Sequence, residues 1–128
     1  MKLYTLCLLL LIASQPCVAQ KNKKTTTMKT TERFDVQYYK KIIKEKNSYE
    51  GATSAQYVER NGTETYVSFN DDGFVLQEIK PFTYEMIVKN YYKNCILKSK
   101  GKLLCHSSVK IGIWREYDNQ GNLIKETD

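Results

Sequence analysis

"GIWREYDNQGNLIKETD", residues 112–128, and "SFNDDGFVLQE", residues 68–78, share one plan. Each runs from an aromatic residue through polar residues to a glycine, then through an apolar pair to an acid. Phe69–Glu78 lies over Tyr117–Glu126 at an offset of 48, so a middle copy is expected near residue 93. Tyr92-Lys93-Asn94-Cys95-Ile96-Leu97-Lys98 supplies the aromatic, the polar pair and the apolar pair there. That copy reads as two residues shorter in the turn, with Cys95 standing where a turn glycine is expected. Three copies near one period read as a repeat. In physical terms each copy is a strand ending in an aromatic, a tight polar turn, and a returning strand. A lone hairpin cannot bury its apolar face, so the copies add to one another as a continuing meander.

The alternation around these copies agrees. From Ala55 the pattern has period two, and "AQYVER-NG-TETYVSF" predicts a hairpin in which Asn61-Gly62 takes a type I′ turn. (Asn61-Gly62-Thr63 is also a glycosylation sequon.) "NDDG", residues 70–73, is a second turn leading into "FVLQEIK". After Pro81, "FTYEMIVKNYY" alternates as a strand from Phe82 onward. "ILKSKGKLL" alternates too, "HSSVKIG" reads as a loop, "IWREY" as a strand, "DNQG" as a turn and "NLIKE" as the last strand. About seven strands are expected.

Upstream the period changes. Phe34, Tyr38, Tyr39, Ile42 and Ile43 fall on one face of a helix beginning near Glu32. Thr31 is placed to cap it, and lysines 40, 41, 44 and 46 suit its negative C-terminal end. Residues 20–31, "QKNKKTTTMKTT", lack apolar periodicity and read as a disordered polar and basic linker. Residues 1–19 read as an export signal. Lys2 is its charged start, "LYTLCLLLLIA" its apolar stretch, and Cys17 and Ala19 its small residues before cleavage. The apolar run is eleven residues, where a spanning helix needs about 20. Lipidation at Cys17 is the alternative processing, although Ser14 and Pro16 fit a lipobox poorly. The expected organisation is therefore a signal over 1–19, a linker over 20–31, and one helix-plus-β-meander domain over 32–128.

Charge and chemistry narrow the function classes. Without residues 1–19 the chain carries 19 basic and 14 acidic groups, four of the basic ones in "KNKKTTTMK". That balance, on an exported chain, argues against nucleic acid as a partner. Cys95 and Cys105 remain as the cysteines of the domain. If "ILKSKGKLL" is one continuous strand they lie roughly 33 Å apart and cannot bond. If Ser99-Lys100-Gly101 is instead a hairpin loop, they fall opposite each other and can pair. The repeat favours the continuous strand. His106, the single histidine, lies beside Ser107 and Ser108 but has no third group to orient it, so no catalytic residue is assigned. Asn70, Asp71 and Asp72 lack the ligand series of a calcium loop, and no metal or cofactor is expected.

"YYKNCILKSKGKLL" followed by "KIGIWREYDNQGNLIKE" resembles the MORN-repeat variant found in many bacterial proteins. There an aromatic strand, an Asn-Gly-type turn and a Leu-Lys-rich strand precede a Gly-x-Trp-x-x-Tyr strand. Gly112, Trp114 and Tyr117 match that last element. The resemblance covers residues 66–126, best over 91–126, and implies an elongated antiparallel sheet. It also implies a YwqK-type antitoxin or immunity component, whose partner would be a toxin. On this reading the chain is not an enzyme but an exported, periplasmic or secreted module that holds a protein partner. Tyr91, Tyr92, Trp114 and Tyr117 are the candidate contact aromatics, because neighbours in a strand diverge and some rings must face outward. The alternative is an envelope structural protein, membrane-bound through a lipidated Cys17.

Overall fold

The computed structural model describes residues 28–128. One helix, α1 (Val36–Lys46), precedes seven strands: β1 (Ser54–Val58), β2 (Glu64–Asn70), β3 (Gly73–Ile79), β4 (Glu85–Tyr92), β5 (Leu97–Leu104), β6 (Lys110–Tyr117) and β7 (Leu123–Thr127). They form one open antiparallel sheet in chain order, the expected meander. The export signal, Cys17 and linker residues 20–27 lie outside the described residues.

The repeat is visible in the turns. In the β4–β5 turn the Tyr92 amide donates to the Ile96 carbonyl and the Cys95 amide to the Tyr92 carbonyl. The β6–β7 turn repeats this with Asp118, Asn122 and Gly121. Cys95 thus takes the place of Gly121, and both are left-handed, at φ 70° and 90°. The two turns are equally long, so the expected shortening of the middle copy is a one-residue shift in alignment: Tyr92 sits where Asp118 does. The copies also bond sideways, Tyr92 hydroxyl to Tyr117 carbonyl at 2.8 Å and Asn94 Nδ2 to Asn119 carbonyl at 2.9 Å. The β1–β2 turn has the same pattern, with Glu59, Thr63 and Gly62. Only Gly62 of the Asn61-Gly62 pair has a positive φ, so this is a three-residue loop with a glycine bulge and not the expected type I′ turn.

Two glycines are demanded by close approach. A Cβ on Gly73 would sit 1.9 Å from the Tyr91 carbonyl oxygen, and one on Gly101 would lie 2.1 Å from the Trp114 ring. Trp114 covers Gly101 on the neighbouring strand and donates its indole N–H to the Lys102 carbonyl at 2.9 Å. Because Gly101 lies inside β5, Cys95 and Cys105 stand beyond opposite ends of a continuous strand and are free thiols.

The start of the chain differs most from expectation. Residues 28–31 are ordered and begin a strap that runs to Phe34. The Leu123 amide donates to the Met28 carbonyl, the Thr30 amide to the Gly121 carbonyl and the Phe34 amide to the Cys95 carbonyl. The strap therefore engages the same position of two sister turns. The helix starts later than Glu32, and its cap is Asp35, whose carboxylate accepts from the Tyr38 amide at 3.0 Å. Phe34 precedes the helix yet fills the core beneath it. Its ring stacks on Phe74 at 4.4 Å and on Tyr39 at 4.8 Å, and meets Phe69 edge-on at 5.7 Å. Ile43, Ala55, Val67, Leu76, Tyr91 and Leu97 complete that core, whereas Tyr38 of the expected apolar helix face is exposed.

Candidate functional site

The meander has two ends, each built from three turns. The β2–β3, β4–β5 and β6–β7 turns form the end that the strap crosses. The β1–β2, β3–β4 and β5–β6 turns form the other. At this second end a Cβ on Gly62 would touch Pro81 at 3.4 Å, and the Cys105 amide donates to the Tyr84 carbonyl at 2.7 Å. The three turns are therefore in contact side by side.

The two most exposed aromatic side chains of the described residues stand here, with further exposed aliphatic ones. Phe82 is fully exposed at 105%, Tyr84 is at 82%, Val109 at 55% and Leu104 at 42%. Leu104 pairs with Glu85 in the sheet and bonds through its amide to the Val109 carbonyl, which ties β4 and the β5–β6 turn together under the patch. Phe82 and His106 have φ values of 61° and 58°, a left-handed backbone that bulky residues rarely take. Strain of this kind costs about 1–3 kcal/mol and survives only where the surroundings enforce it. At Phe82 the enforcement is visible. The Thr83 amide and hydroxyl both donate to the Lys80 carbonyl, at 3.3 and 2.8 Å, and close a turn around Phe82. An aromatic held outward in this way loses little freedom on contact with a partner. The charged residues of these turns and their flanking strand ends are mixed. Arg60, Lys80 and Lys110 occur in them together with Glu59 and Glu64, and Lys102 is paired with Glu85 at 2.9 Å.

The aromatics expected to make the contact are placed otherwise. Tyr91 and Trp114 are buried, at 4% and 8% exposure. Tyr92 and Tyr117 are half-buried and joined by the cross-copy hydrogen bond. Tyr91 and Trp114 fall on opposite faces of the sheet, and both faces cover their rings: Phe34 lies against Tyr91, and Gly101 and Lys110 lie against Trp114. They are supports of the sheet and not a free strip. Tyr91 also donates to Glu32 Oε1 at 3.2 Å, the oxygen that Lys89 approaches at 2.7 Å, while Lys100 lies 3.3 Å from Glu32 Oε2. Burial raises the Glu32 carboxyl, but the hydrogen bond and charge of Lys89, with Lys100 behind them, outweigh it and hold the group below its ordinary 4.5. Burial pushes the Tyr91 phenol far above its ordinary range, and the Glu32 charge adds to that. The cluster fastens the strap to the sheet.

The remaining candidate groups serve the turns. The Ser107 hydroxyl donates to the Leu104 carbonyl and accepts from the Val109 amide, so it is committed beside His106. The Asn70 side chain accepts from Ser68. Among the described residues no cluster of three metal-ligating side chains occurs.

Phe82 and Tyr84 escaped the sequence reading because they alternate in register with the strand that follows. Pro81 was the signal that could have separated them from it. No protein-family model matches the chain, and no curated protein or solved structure matches it either, so the MORN-repeat resemblance stands on the quoted residues alone.

Proposed function

We propose that this chain is an exported, MORN-like binding module that holds a protein partner at the unstrapped end of its sheet, as an immunity or antitoxin component would. The observation that carries this reading is the outward-held Phe82, with Tyr84, Leu104 and Val109 also exposed on the adjoining β3–β4 and β5–β6 turns. A small apolar cluster with two aromatics and a charged surround has the composition of an interface centre and rim. The partner surface it suits is a shallow apolar depression with mixed charge at its edge.

Cross-linking in envelope fractions tests the proposal. A specific protein adduct of the wild type should disappear in Phe82→Ser/Tyr84→Ser and persist in Tyr38→Ser, where another exposed aromatic is removed from the helix. Equal adducts in all three proteins would end the assignment of this surface.

A further inference from the structure

A second site lies at the other end of the molecule, between α1 and the β2–β3 hairpin. It is a groove of about 720 Å³, within the range of small-molecule pockets. Val36, Ile43, Ala52, Phe69 and Phe74 give it an apolar floor, and the loop after the helix forms its far wall. Lys40 and Lys44 line it from the helix, one turn apart on the same side. Among the described residues neither is in an ion pair, whereas Lys41, on a neighbouring side of the helix, reaches Glu45 at 3.8 Å. Glu50 is the single acid lining the groove.

We infer that this groove binds a small amphipathic anion, an unbranched fatty carboxylate, with its chain against Phe69 and Phe74 and its head group between Lys40 and Lys44. Three observations select that class. Val36, Ile43, Ala52, Phe69 and Phe74 make a continuous apolar floor for an alkyl chain, with the polar Ser48, Tyr49 and Thr53 confined to the loop wall. The two lysines supply positive charge at one edge only, which suits a ligand charged at one end. The carbonyl of Ile43, near the C-terminal end of the helix, is already bonded by Asn47 Nδ2 at 2.8 Å, and the same group donates to the Ser54 carbonyl at 2.9 Å. That cross-bond fixes the far wall and reduces the negative end of the helix that would oppose a carboxylate. The site is separate from the apolar turns proposed to hold a protein, so either can stand without the other.

Titration with decanoate below its micelle concentration, followed by methyl and amide NMR, tests the inference. Saturable shifts are expected at Val36, Ile43 and Ala52, with decanol binding more weakly. Lys40→Glu/Lys44→Glu changes only exposed side chains and should weaken decanoate at least about tenfold, the scale of two exposed charge contacts, while leaving decanol unchanged. Ala52→Trp, checked for an unchanged fold by circular dichroism, should block both ligands. Shifts centred elsewhere, or equal affinity for decanoate and decanol that ignores the lysine changes, would overturn the proposal.

Discussion

The two ends of the sheet are made from the same kind of turn and behave as opposites. At one end the carbonyls of Cys95 and Gly121 accept from the strap, Asn94 bonds to the neighbouring turn, and Phe34 closes the core below. At the other, among the described residues, the turns meet one another without a strap, and Phe82, Tyr84 and Val109 are exposed. The backbone geometry is shared, since a left-handed residue opens the return in both. What differs is whether another segment of the chain satisfies and covers the turn. Buried contacts are concentrated where it does, and exposed apolar surface where it does not.

Substitutions can break that contrast, starting with its anchor. Phe34→Ala removes the ring on which Phe74, Tyr39 and Phe69 meet, and should cost about 3–5 kcal/mol in denaturant unfolding. A loss below 1 kcal/mol would mean that the strap does not hold its end together. Gly73→Ala drives a methyl group into the Tyr91 carbonyl and should cost about 3 kcal/mol, read as a lower thermal midpoint.

Glu32→Gln loosens the strap electrostatically and should cost about 1 kcal/mol near neutral pH, because the ion pairs are partly exposed. The folded carboxyl titrates below its ordinary 4.5, so the native state gains from ionisation. That gain is complete above the unfolded value and is lost as pH falls through the folded one. Stability curves of wild type and variant measured from pH 7 down should therefore converge below about 4.5. A gap that stayed constant through that window would assign the effect to packing.

The smallest effects compare the left-handed residues directly. Cys95→Gly gives the middle turn the residue its sister has, and should leave stability unchanged or raise it by up to about 1 kcal/mol. Phe82→Gly relieves the same strain where no packing is lost, so the thermal midpoint should hold or rise slightly. If Phe82→Gly instead lowers it by several degrees, the ring has a structural role and the assignment of this surface to contact weakens.

Much of this architecture was legible in the residues. Period-two alternation and polar turns marked all seven strands, and aligning the copies placed Cys95 at a position that wants glycine. The alignment slipped by one residue because an aromatic was taken as the shared landmark, whereas the turns share a hydrogen-bond pattern that either Tyr92 or Asp118 can begin. The strap left no trace in composition. Its bonds to the turns are made by backbone amides and carbonyls, which Met28, Thr30 and Phe34 would form whatever their side chains. The site was misjudged for a related reason. Tyr91 and Trp114 looked available because a single-layer sheet has an open face, but Phe34 from the strap covers Tyr91, and Trp114 lies flat over Gly101 of the adjacent strand. Exposure is a property of tertiary contacts, and the most exposed aromatic among the described residues, Phe82, sits in the turn that Pro81 and Thr83 set apart.

The strap also fixes an order of events. Its first residues bond to Gly121 and Leu123, near the end of the chain, and its last bonds to Cys95. Helix and early hairpins can pair through neighbours in sequence, and Phe34 can reach Cys95 once β5 follows β4, but the bonds to Gly121 and Leu123 must wait for the β6–β7 turn. Contacts of such long sequence separation form late and slow the whole process. A chain growing from its N-terminus must therefore leave Met28 and Thr30 without these partners until the β6–β7 hairpin forms, and only then is the strap bonded along its length.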